Sequence, residues 1–132
     1  TSSSLDIASA ARWLSLPPFY LRLIENMAIT EVYTYGSPRT FNQIAAQNYV
    51  SLRHSLNWRH WRVTHWMDPI PHVPPQSWGS MHVGTEAFLN EDSTLNKMCE
   101  GREDSSCSDQ FALCADNLVG DHLGDHGSYF SG

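Results

Sequence analysis

The chain has 132 residues and a net charge of −6, a length that supports one small domain and little more. With 41% hydrophobic and 11% aromatic residues it can bury a core, which excludes global disorder. The acidic balance and the scattered Lys and Arg exclude a nucleic-acid-binding surface or a patch for anionic membranes, and no apolar run is long enough to span a bilayer.

In chain order, a polar start leads into Ile7, Ala8, Ala10, Ala11 and Leu14, a helical apolar face that Ser4 or Asp6 would cap. Pro17 and Pro18 end or interrupt it, and Phe19 to Met27 has the period of a second helical piece. Glu31 to Gly36 is β-branched and aromatic and is bounded by Gly-Ser-Pro, so it reads as a buried strand. Thr40 to Leu52 is the clearest amphipathic helix, with Phe41, Ile44, Ala45, Tyr49 and Leu52 on one face and Thr40 as its cap. Trp61 to His65 alternates as a short strand, and Met81 to Leu89 reads as another, placed at a sheet edge. Asn90 to Asp109 reads as an acidic loop whose charges are solvated, and Ala115 to Phe130 carries glycine-interrupted helical signals. This alternation predicts an α/β layered sheet in a single domain, residues 1–132. No positively charged start leads into a signal-peptide core, so the sequence is expected to be a mature portion or a fragment.

Cys99, Cys107 and Cys114 are too widely spaced for a CxxC zinc or redox motif. In an oxidising compartment Cys99 and Cys107 would close a small loop, leaving Cys114 odd; in a reducing one all three would be thiols.

Four prolines fall within Pro69 to Pro75, directly after Asp68, so this acid is held at a strand's carboxyl end with little backbone freedom. Ligands of α/β proteins bind outside those strand ends, which makes Asp68 a site residue; the competing reading is an aspartate that only closes the turn. Trp58, Trp61, Trp66 and Trp78 surround it in sequence. They read either as core and loop packing or as an apolar acyl-binding wall beside the acid, in which Trp66, Ile70 and Val73 would line the pocket. His65 reads as a hydrogen-bonded core residue, and His82 could approach the acid through the proline turn. His122-Leu-Gly-Asp-His126 has the spacing of an inverted zinc-protease motif, but the acid is Asp, Gly124 weakens the helix and no third ligand is evident, so no metal site is assigned.

The string V-T-H-x-x-D-x-I-P-x-x-P-P around Asp68 resembles the segment bearing the triad acid in class 3 lipases, the fungal lipase and feruloyl esterase family. Three further strings are similar to that family in the same order: Val32 to Arg39 as V-Y-T-Y-G-S-P-R, Gly79 with His82 and Glu86, and His126 to Phe130 as H-x-x-Y-F. The loop between Cys99 and Cys107 also resembles a disulfide loop of its secreted members. The resemblance covers Glu31 to Phe130. It implies a partial α/β-hydrolase sheet flanked by helices and lacking the N-terminal half, so that the chain would be the C-terminal part of the enzyme. It further implies a Ser-Asp-His triad that needs no cofactor or metal, with Asp68 as the acid and His126 as the base. The expected substrate is an acylglycerol or other carboxylic ester at an oil–water interface, the expected location extracellular.

The family's nucleophile string G-H-S-L-G-G corresponds here to Ser2 to Ile7, where Ser4 would be the nucleophile and the Leu5 amide an oxyanion donor. Ser4-Leu5 matches and the three glycines do not. A helix-capping serine is the alternative for Ser4, and a degenerate, non-enzymatic lipase-like domain that binds a lipid surface or a partner is the alternative for the chain.

Overall fold

The computed structural model describes residues 30–111 and 122–130. Its centre is a four-stranded mixed sheet in the order β1-β3-β5-β6, formed by β1 (Glu31–Tyr35), β3 (Arg59–His65), β5 (Thr85–Leu89) and β6 (Leu95–Cys99). β1, β3 and β5 are mutually parallel, and β6 returns antiparallel to β5. The carboxyl ends of three neighbouring strands therefore lie side by side, the edge of an α/β sheet where sites are built.

Between β1 and β3 runs helix α1 (Gln43–Ser55), which buries Ala46 and Tyr49. These pack with Trp58 and Val83, and Val32, Phe41, Leu56 and Met81 join from the rim. The amphipathic pattern located the helix but not its start. Phe41–Asn42 forms a short strand, β2, paired antiparallel with β4 (Ser80–Met81). Asn42 rather than Thr40 is the N-cap, its Oδ1 accepting from the Ala45 amide at 2.8 Å. Ile44, expected inside, is 70% exposed because the buried stripe runs through Ala46 and Tyr49 instead.

Three other expectations are corrected. β1 is an edge strand among the described residues, with Glu31 and Tyr33 exposed, rather than a fully buried one. β5 is internal, not marginal: its Glu86 is 1% exposed and stands in register with Arg62 of β3, whose guanidinium donates to it at 2.9 Å. The stretch Asn90 to Asp109 is not all loop. It contains β6, the start of a short 3-10 turn at Ser108–Phe111, and the disulfide Cys99–Cys107 inside a second core with Phe88. Cys114 lies outside the described residues.

His60, on β3, is buried between Tyr49 and Thr34. The Tyr49 hydroxyl lies 2.7 Å from Nδ1 and Thr34 Oγ1 3.2 Å from Nε2; each hydroxyl can donate or accept, so a neutral ring satisfies both. Burial, helped by the nearby Arg62 and Arg53 charges, lowers its pKa to about 4. The unfolded chain thus takes up a proton near pH 6.5 that the folded chain refuses until about pH 4. Folding stability is expected to fall as the pH drops through that window, by roughly 3 kcal/mol at its end. Urea titrations at stepped pH would measure the fall, and His60→Gln should flatten it.

Candidate active site

β3 ends at His65, and a tight turn follows in which the Asp68 amide donates to the His65 carbonyl at 2.9 Å. Trp66 takes a left-handed φ of +34° within it. The proline-rich segment then wraps Asp68, leaving its side chain 1% exposed. Asp68 Oδ1 accepts from the Ile70 amide at 2.9 Å. Oδ2 accepts from His126 Nδ1 at 2.9 Å and also from the Tyr129 hydroxyl. A carboxylate on Nδ1 fixes the imidazole tautomer and leaves Nε2 with its lone pair free. His126 itself is 43% exposed, so one end of the ring is anchored in the protein while the rest is accessible.

Tyr129 was not singled out by sequence reasoning, although it sits three residues after His126 in the matching string. Its burial, then the Asp68 charge and hydrogen bond, push its ionisation far above the ordinary tyrosine range, so it stays a neutral donor to the carboxylate.

Gly36 closes the site from the end of β1. It has φ +57°, and a Cβ built on it would lie 2.7 Å from His126 Nδ1 and 2.9 Å from Asp68 Oδ2. Only glycine lets the backbone approach this pair so closely.

The turn is held from beneath by Arg39, 3% exposed. Its guanidinium donates to the carbonyls of His72 (2.6 Å) and Pro74 (3.4 Å), and to Glu103 and Asp109 at 3.1 and 2.7 Å. Glu103 also accepts from the His82 amide at 2.8 Å. Glu103 and Asp109 of the acidic run, expected to be solvated, thus turn inward and fix the segment that follows Asp68. His82 does reach that segment: its Nε2 donates to the Pro71 carbonyl at 2.7 Å, and burial first, then the Arg62 and Arg39 charges, lower its pKa to about 2.

The tryptophans are spread wider than their sequence positions suggest. Trp58 belongs to the α1 core, Trp78 is 78% exposed, and Trp66 packs on Phe111 with ring centroids 5.3 Å apart. Ile70 and Val73 sit half-buried in the turn. His122 Nδ1 faces Asp125 Oδ2 at 3.2 Å while His126 Nδ1 faces Asp68, so the two histidines turn to different carboxylates. Among the described residues no cluster of three His, Cys, Asp or Glu side chains could share a metal ion. Ser4 and Leu5 lie outside the described residues.

Residues 16–78 match the sequence model of the family described as lipase (class 3). A secreted mono- and diacylglycerol lipase 1 of Fusarium solani is 35% identical over 85 residues, 59% of this chain and 24% of that protein. A lipase of Rhizopus niveus is 33% identical over 100 residues, 75% of this chain and 23% of that protein. The chain belongs to the fungal class 3 lipase family.

Among solved structures, lipase II from Rhizopus niveus superposes with a TM-score of 0.57 at 30% identity, covering 73% of this class 3 lipase chain and 33% of that one. The lipase from Rhizopus microsporus var. chinensis gives a TM-score of 0.63 at 24% identity, covering 89% and 38%, which speaks for the fold alone. The mixed sheet is accordingly an α/β-hydrolase sheet. The chain spans about a quarter of the length of the curated relatives named here. No helix of the described residues is long and apolar enough to cross a membrane.

Proposed function

We propose that this class 3 lipase chain carries the acid and base of a serine ester hydrolase that cleaves acylglycerols at an oil–water interface, and that it works outside the cell. One observation carries the reading: a buried carboxylate grips one nitrogen of a histidine whose ring is otherwise exposed, at the carboxyl ends of parallel strands. In the reaction, Ser4 attacks the ester carbonyl and its proton passes to His126 Nε2. The imidazolium, steadied by Asp68, returns that proton to the departing alkoxide. Water then cleaves the acyl-enzyme through the same base. The Leu5 amide would donate to the oxyanion, and Trp66, Ile70 and Val73 would meet the acyl chain. The Fusarium relative's printed name supports mono- and diacylglycerols as substrates and supports secretion, as does the Cys99–Cys107 disulfide.

The test is turnover of a short-chain nitrophenyl ester and of emulsified diacylglycerol by the full-length protein. Loss of both with Ser4→Ala and with His126→Ala supports the reading. Turnover that survives Ser4→Ala removes Ser4 as nucleophile. No turnover by the unaltered protein means a non-enzymatic domain.

Gly36→Ala offers a sharper check on the site's geometry. The added methyl must displace His126 or Asp68, so kcat is expected to fall by about 10²-fold, the usual cost of a misplacement near 1 Å. The strain of alanine at a left-handed φ adds only about 1–2 kcal/mol of destabilisation. Steady-state kinetics beside a urea melt would separate the two effects.

A further inference from the structure

The helix bearing His126, α2 (Leu123–His126), is four residues long, and its Leu123 is 58% exposed. Glycines flank the histidine at positions 124 and 127. So short a helix buries none of its residues and cannot fix His126 by its own packing. Something else must hold the imidazole against Asp68.

The candidate is His65, the last residue of β3 and 1% exposed. Its Nδ1 lies 3.0 Å from the carbonyl oxygen of Asp125. Its Nε2 lies 3.2 Å from the carbonyl of Glu91, in the turn between β5 and β6. From that same turn the Ser93 hydroxyl donates to the carbonyl of Ser128 at 2.8 Å. The backbone is thus tied on both sides of His126. Both carbonyls can only accept, so each contact needs a proton on the ring nitrogen it faces, and the shorter of the two, to Asp125, calls for Nδ1–H. The Asp125 carbonyl belongs to the rigid peptide plane that ends at the His126 Cα, so holding that oxygen limits where the imidazole can sit. Three residues after His65 the same chain delivers Asp68, whose amide donates back to the His65 carbonyl. One residue therefore touches the backbone of both the acid's turn and the base's helix.

We infer that His65 is a positioning residue that sets the register between Asp68 and His126 through its Nδ1–H bond to the Asp125 carbonyl. The inference rests on the hydrolase reading for its kinetic consequence, but not for its structural one. A buried histidine that merely fills space would affect stability alone.

The test uses the full-length protein with His65→Leu, which removes the donor, and His65→Asn, whose side-chain amide restores an N–H near the Nδ1 position. Two readouts are taken: kcat and KM on a soluble nitrophenyl ester, and the NMR signal of the proton shared by His126 Nδ1 and Asp68, assigned by its loss in His126→Gln. His65→Leu is expected to lower kcat by about 10- to 100-fold with KM within twofold of the unaltered protein. It should also broaden or shift the shared-proton signal, and His65→Asn should restore most of both. If His65→Leu does not fold, Ser93→Ala cuts the half-buried companion tie and should produce the same kcat-only loss, smaller in size. Unchanged kcat and an unchanged signal in a folded His65→Leu protein overturn the inference. So do a loss equally deep with Asn as with Leu, and an Ser93→Ala protein with unaltered kcat where Leu does not fold. If the unaltered protein cleaves no ester, the hydrolase reading fails, and the NMR signal still decides the positioning role.

Discussion

Asp68→Asn is expected to reduce kcat on a soluble ester by about 10⁴-fold while leaving the protein folded. The size follows from the tautomer rather than from lost packing. Asparagine has the same shape, and its oxygen can still accept from the Ile70 amide, which lies 2.9 Å from Asp68 Oδ1. Its NH₂ then stands where Oδ2 now accepts from His126 Nδ1. Two donors cannot face each other, so the ring must present an unprotonated Nδ1 and carry its proton on Nε2. A protonated Nε2 cannot take the hydroxyl proton of a serine. Tyr129, which now donates to Oδ2, can rotate its hydroxyl to accept from the new amide, so that contact survives in reversed sense. Kinetics and a thermal melt on the same preparation check the claim. A fall of less than tenfold in a folded protein would remove Asp68 from the role of triad acid. Tyr129→Phe should be milder, because the carboxylate keeps its bonds to His126 and Ile70.

How far the sequence could be read follows from which features are local. Asp68 and His126 stood out because each sits in a short string with its own turn chemistry, the proline cage for the acid and H-x-x-Y-F for the base. β3 was legible because Trp61, Val63 and His65 alternate with Arg62 and Thr64. The apparent contradiction on that strand, a charged Arg62 that is 2% exposed, resolves only when β5 brings Glu86 alongside. No local rule reveals that partner, and the same blindness made β5 look marginal. β6 escaped notice because Leu95 to Met98 are all exposed, so no apolar alternation marks the strand; the free edge of β5 and the Cys99–Cys107 bridge define it. Likewise Glu103 and Asp109 look like solvated charges until Arg39, more than sixty residues earlier, is placed between them. His65 was legible as a satisfied core histidine, but not as a tie to the base, since Asp125 is 60 residues away.

The largest stability effect is expected at Arg39. Its side chain is 2% exposed, and its acceptors Glu103 and Asp109 are 11% and 10% exposed, so the three charges sit largely out of water. Such a cluster contributes little over an apolar replacement of all its members, but removing one member leaves the rest uncompensated. Arg39→Met strands two carboxylates beside each other with no cation between them, and it releases the His72 and Pro74 carbonyls as well. A loss of about 3–5 kcal/mol is expected, measured by urea unfolding of the full-length protein. Arg39→Lys keeps the charge but cannot span two carboxylates and two carbonyls with one ammonium, so it should recover only part of the loss. The decisive comparison is the cycle with Asp109→Asn. Asp109 Oδ1 is 2.7 Å from the guanidinium, and neutralising it in the Arg39→Met background should return stability rather than remove more. Simple additivity of the two losses would mean that the guanidinium acts through its other acceptors and not through the Asp109 charge. A positive coupling would mean that the acidic loop and the turn behind Asp68 are held together by charge, and that the two stretches fold onto each other as one unit.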